Sequence, residues 1–234
     1  MKYKDIKSFH MQDCIDNCGH GPATQRAIKN LFTHLDKFAL EVDIIDRSYA
    51  VLTTAAPTPE TNKRPFTDEE VNALWEIQDQ EFVDSILVFL YTGFRLNELL
   101  GLKTANVDLQ AGTIKGGSKT KAGKNRIIPI HSKILKLIEN RTNQGNEYLF
   151  SYKQQPLSAS AYYYLFWNTI MKQLGMQHTP HECRHTFRSR LDSANANKVC
   201  IDLIMGHKSK EIGERVYTHK TLEELKFAIE LITH

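Results

Sequence analysis

Apolar residues along the chain recur mainly with a helical period, and the runs they form predict a mostly α-helical protein. The segment "DIKSFHMQDCIDN" (5–17) reads as a first helix, ended by Gly19-His20-Gly21-Pro22. A longer amphipathic run follows, "ATQRAIKNLFTHLDKFALEVDII" (23–45). Its Ala27, Leu31, Leu35, Phe38 and Leu40 are the expected buried positions. The turn-rich stretch "TTAAPTPETNKRPF" (53–66) predicts a linker. Thr67 with Glu70 three residues later is a capping box and opens a second group of helices. Helices are expected near 68–80 and 82–91, with a short one carrying "RLNELLGL" after Gly93. Short strands are expected at 107–109, 112–115 and 125–130, the last two joined by a basic loop. Helices follow at 132–140, 158–174, 181–195, 198–205, 211–217 and 221–232. The expected class is α+β, mainly α: a helical domain over 67–234 with a small antiparallel three-stranded sheet, preceded by a short helical segment over 1–52.

Charge adds a local feature. The net charge of the 234 residues is only +3. Between Leu109 and Ile138, however, lie Lys115, Lys119, Lys121, Lys124, Arg126, Lys133 and Lys136 with no acidic residue among them. Such a strip suits a polyanion, most commonly nucleic acid, although it also fits a solvated hairpin. The four cysteines, Cys14, Cys18, Cys183 and Cys200, are too few for a disulfide framework, so a reducing, cytoplasmic setting is expected. No run of about 18 apolar residues predicts a membrane span, and "MKYKDIKSFH" lacks the apolar core of a signal peptide.

The stretch "HTPHECRHTF" (178–187) spells H-E-x-x-H, the zinc-protease signature. Pro180 places that motif in the first turn of its helix, and Arg184 shares a face with His181. A fixed cation there opposes a divalent one, and no third ligand follows closely. No metal and no cofactor are therefore expected. An anion, by contrast, suits a histidine and an arginine at the positive end of a helix. The arginine fork can hold phosphate oxygens in bidentate fashion. A second arginine, Arg95, follows the Gly93 turn in "YTGFRLNELLGL" (91–102), with Glu98 as its natural pair. The hairpin "KTKAGKNRIIPI" (119–130) carries lysines, "LIMGHKS" (203–209) presents His207 after a Gly206 C-cap, and "ERVYTH" (214–219) carries Tyr217.

Together and in this order, these motifs resemble the tyrosine recombinases, the phage- and transposon-type integrase family. The resemblance spans about residues 64–234. It implies that Arg95, Lys121, His181, Arg184 and His207 surround a DNA phosphodiester and that Tyr217 is the nucleophile. Lys119 is the near alternative to Lys121. Glu98 falls where the family commonly carries an acid beside the first arginine. Residues 1–52 look like the C-terminal part of a helical core-DNA-binding domain, which would make the chain short at its N-terminal side. The implied activity is site-specific cleavage and rejoining of DNA through a 3′-phosphotyrosyl intermediate, for integration or excision of a mobile element. A type IB topoisomerase-like relaxation and a non-catalytic DNA-binding regulator are the alternatives. Lys115, Lys119, Lys124 and Arg126 are expected DNA contacts. The expected partner is double-stranded DNA, with a tetramer on it and a monomer or weak oligomer without it, in a bacterial or phage setting. The terminal segment, with Leu222, Leu225, Ala228, Ile229 and Ile232 on one face, docks on a neighbouring protomer in family members. Folding back on its own domain is the alternative.

Overall fold

The computed structural model describes residues 1–59, 64–117, 125–207 and 220–233. The chain divides into two compact units, Met1–Asn62 and Lys63–His234.

In the first unit α1 (Ser8–Asp16) packs against α2 (Pro22–Glu41), which begins with proline at its first helical position. The 3-10 turn Ala50–Leu52 closes the pair, around Met11, Tyr49 and Ala50. The buried side chain of Asp36 ties the turn to the helix. It accepts from Tyr3 Oη at 2.6 Å, Ser48 Oγ at 2.8 Å, and the backbone N–H groups of Tyr49 and Ala50, both at 2.7 Å. Burial alone would push its carboxyl up, but these four bonds hold it below the usual range. The helix is where the periodicity put it, yet the buried face is not the expected one. Leu31, Leu35, Phe38 and Leu40 are exposed, whereas Phe32, Asp36 and Ala39 face the interior. A buried carboxylate with four donors displaced the apolar stripe from the contact. Such a face is invisible to hydrophobic periodicity.

The second unit is built on α4 (Val83–Thr92), every residue of which except Asp84 is buried. A helix enclosed on all sides carries a continuous apolar run rather than a stripe, and "ILVFLYT" is such a run. Around it lie α3 (Asp68–Glu76), α6 (Ser132–Thr142) and α9 (Pro180–Ser193). The Thr67–Glu70 capping box is formed in both directions. Phe66 is buried, and its N–H donates to Thr186 Oγ1 at 2.8 Å, so the end of the predicted linker belongs to this unit. The short α5 (Leu96–Leu100) follows α4. An antiparallel sheet of β1 (Val107–Asp108), β2 (Thr113–Gly116) and β3 (Arg126–Pro129) comes next, in that order. The sheet and its helical surroundings match the expected class.

A two-residue hairpin, β4 (Ser151–Tyr152) with β5 (Gln155–Pro156), was not expected, since polar residues and a proline carry no strand period. The helix predicted over 158–174 is α7 (Ala159–Tyr162), a π-turn over Tyr163–Trp167, and α8 (Asn168–Gln173). Finally α10 (Lys198–Met205) and α11 (Leu222–Glu230) pack on each other and on β3. Leu225, Ala228, Ile229 and Ile232 of the terminal segment are buried within their own chain. Ser132 N–H and Oγ donate to the Glu230 carboxylate, both at 2.7 Å. The helix expected over 211–217 lies outside the described residues. Among those residues, no helix is long and apolar enough to cross a membrane.

Candidate active site

The site starts at the end of α4. Gly93 adopts φ +63°, and a Cβ there would lie 2.5 Å from the Phe187 ring. Only glycine meets both demands. The turn buries Phe94 and brings Arg95 to the start of α5. Arg95 Nη1 donates to Glu98 Oε1 at 2.9 Å, and the Arg95 N–H donates to Oε2 at 3.1 Å. Glu98 Oε2 also accepts from Arg126 Nη2 at 2.9 Å. Burial would push the Glu98 carboxyl up, but the two guanidiniums and the backbone N–H outweigh it and hold it below the usual range. Arg126 gives its Nε–H to the Ile204 carbonyl at 2.7 Å and lies over the Phe94 ring.

The second arm is α9. Pro180 occupies its first position, and Glu182 accepts the Thr179 N–H at 2.5 Å. Glu182 is buried, beside His178 Nδ1 at 3.5 Å. The glutamate of the H-E-x-x-H string is thus engaged in capping its own helix. His181 and His185 are exposed on the same helix, their rings edge to face at 4.6 Å. One turn beyond His181, Arg184 is buried and donates to the carbonyls of Gly93 and Met205, the latter at 2.6 Å. It also approaches His207 Nε2 at 2.9 Å. Gly206, at φ +67°, ends α10 and turns the chain so that His207 meets Arg184.

Arg184 therefore links the Gly93 turn, α9 and the end of α10. Burial, reinforced by the cations of Arg95 and Arg126 and opposed by Glu98, pulls its pKa down to about 10. Burial, then Arg184, also lowers the His207 pKa; Asp202 opposes that shift, while Arg188 and Arg95 add to it. Each group is less stable as a cation here than in water. A bound anion would relieve that cost.

The phage integrase family matches residues 65–224, more than half of the chain. The chain belongs to this family. It is similar to the tyrosine recombinase XerA of Pyrococcus furiosus, with 30% identity over 183 residues, covering 74% of this chain and 63% of that protein. Tyrosine recombinase XerD of Vibrio vulnificus is 25% identical over 218 residues, covering 86% and 69%. The chain thus spans less than two thirds of the archaeal relative. In fold it resembles the Tn1549 transposon integrase (residues 82–397) solved with circular intermediate DNA. The TM-score is 0.73 at 22% identity, covering 97% of this chain and 85% of that one. A lambda integrase tetramer bound to a Holliday junction gives 0.69 at 19% identity, covering 89% and 66%.

Within this integrase-family domain, Arg95, Arg184 and His207 come together, and His181 precedes Arg184 by one turn. Lys119, Lys121, Lys124 and Tyr217 lie outside the described residues. Lys115 is exposed on β2. Arg126, expected as a surface contact to DNA, is instead buried. In the β2–β3 register Arg126 pairs with Gly116 and Ile128 with Ile114. Residues 126 and 128 share a face, so Arg126 points to the core side with Ile128. That parity was available in the sequence. Arg188 and Asp202, which flank His207, carried no motif signal. The "YYY" string divides: Tyr162 is fully buried, with its hydroxyl 2.7 Å from Ser85 Oγ, whereas Tyr164 is exposed. Burial raises the phenol pKa of Tyr162 and Tyr163, which makes both poor sources of phenolate.

Proposed function

We propose that the chain is a DNA strand transferase, a tyrosine site-specific recombinase acting in the integration or excision of a mobile element. The observation that carries this reading is the Arg184–His207 contact beside the Gly93–Arg95 turn. It brings three separate motifs to one place able to hold a phosphate.

In this reading the phenolic oxygen of Tyr217 attacks the scissile phosphorus and the P–O5′ bond breaks. The products are a 3′-phosphotyrosyl bond and a free 5′-hydroxyl. Lys121 supplies the proton to the leaving oxygen, and His181 takes the proton from the phenol. One phosphoester replaces another, so rejoining to a new 5′-hydroxyl needs no external energy. Arg95, Arg184 and His207 donate to the non-bridging oxygens, where negative charge grows as phosphorus becomes five-coordinate. Removal of one such preorganised donor costs about 3–4 kcal/mol in comparable anion sites. Glu98 keeps Arg95 in place. Lys115, Lys119 and Lys124 contact the DNA backbone, and residues 1–52 serve as the C-terminal part of a core-binding domain. Four copies assemble on paired sites, with α11 released from its own domain to a neighbour.

The test uses two labelled duplexes carrying a core site recovered from a randomised pool by repeated binding selection. Transfer of label between them is expected. Relaxation of supercoiled DNA without transfer would mark a topoisomerase instead, and binding without cleavage would mark a regulator.

A further inference from the structure

The surroundings of His207 fix more than its position. Arg184 can only donate hydrogen bonds, so His207 Nε2, 2.9 Å from Nη2, accepts. A neutral ring then carries its proton on Nδ1. Two side chains face that nitrogen: Asp202 Oδ1 at 3.6 Å and Arg188 Nη1 at 3.5 Å. Arg188 also only donates, so the carboxylate alone complements an Nδ1 proton. Asp202 is itself held, by Arg188 Nη1 at 3.2 Å, and its main-chain carbonyl accepts the His207 N–H at 2.9 Å. Arg188 Nε in turn donates to Asp192 Oδ2 at 2.9 Å.

This arrangement poses a chemical problem. With its lone pair directed at Arg184, Nε2 cannot donate to a phosphate oxygen. It can do so once the ring takes a proton from solvent and becomes imidazolium. Among the described residues, Arg184 and Arg188 from α9 approach the ring, and their charges, with that of Arg95 at the start of α5, resist that change. Asp202, on α10, is the acid that favours it. We propose that Asp202, braced by Arg188, is a positioning residue that orients the His207 ring through Nδ1 and sustains it as an imidazolium donor when a phosphodiester oxygen replaces Arg184 at Nε2. The second half of this inference rests on the recombinase reading. The first half is a property of the unliganded chain.

Nitrogen-proton correlation spectra of the whole 15N-labelled chain test it, with the His207 signals identified by their loss in His207→Gln. At pH 8 the ring is expected with its proton on Nδ1; a dominant Nε2–H form would overturn the proposal. In Asp202→Asn the His207 midpoint should fall by about one pH unit, and an unchanged midpoint would also overturn it. A merely structural role for Asp202 predicts no fall of the midpoint in Asp202→Asn. None of the spectra needs DNA cleavage, so absence of a covalent product would sink the recombinase reading and leave this test standing.

Discussion

Glu98 and Arg126, 28 residues apart in sequence, form a buried ion pair at 2.9 Å, with side chains 2% and 4% exposed. The same carboxylate holds Arg95, which keeps more of its surface in solvent. One acid thus couples a structural cation to the cation offered to the site. Glu98→Ala leaves the Arg126 guanidinium buried without its carboxylate and should cost about 3–5 kcal/mol in urea unfolding. Glu98→Leu combined with Arg126→Met should recover most of that loss, because an apolar replacement of a buried pair is often neutral. The double variant should still form covalent product poorly, since Arg95 has lost its partner.

Arg184→Lys keeps the charge and loses the fork. A lysine cannot reach the Gly93 and Met205 carbonyls and a phosphate oxygen together. The rate of covalent-product formation on a nicked duplex should fall by about 10²–10³-fold, with DNA affinity reduced far less. Single-turnover rates and a binding titration separate the two effects.

Gly93→Ala combines a positive φ with a Cβ 2.5 Å from the Phe187 ring. Overpacking of this kind typically costs about 1–3 kcal/mol. Because Arg184 is anchored on the Gly93 carbonyl, activity measured well below the unfolding transition should also drop. A variant of wild-type stability and full activity would show that the turn is not rigidly required.

Acid should weaken the second unit through Glu70. The Arg64 guanidinium, followed by the Thr67 N–H and His178, holds the Glu70 carboxyl down at about 2, against some destabilisation from burial. A folded pKa below the unfolded one contributes stability that is complete above the ordinary carboxylate range. That contribution is lost as the pH falls from about 4.3 towards the folded value. Glu70→Gln should therefore lose about 1 kcal/mol at pH 7, the upper end for a partly solvated pair. The difference should shrink as the pH falls through the folded value and vanish only below it. Chemical unfolding of both proteins across that range reads the effect.

Much of this was legible in the chain. The helical periodicity, the Thr67 capping box, the Gly206 cap and the ordered motifs gave the class and brought Arg95, Arg184 and His207 into one expectation. What escaped depended on contacts rather than period. The face that α2 buries is decided by the four donors gathered on Asp36, and no apolar count reveals a satisfied carboxylate. Arg126 was read by its charge instead of its strand parity with Ile128. Asp202 and Arg188 are ordinary helix-surface residue types, and only the packing of α10 against α9 turns them towards His207.

The most direct measurement is the identity of the residue joined to DNA. The chain is incubated with a nicked duplex bearing the selected core site, the covalent product is digested with protease, and the linked peptide is sequenced by mass spectrometry. A 3′-phosphate on Tyr217 and no product from Tyr217→Phe are expected. A linkage to Tyr164 or any other side chain, or a product that persists in Tyr217→Phe, would contradict that expectation.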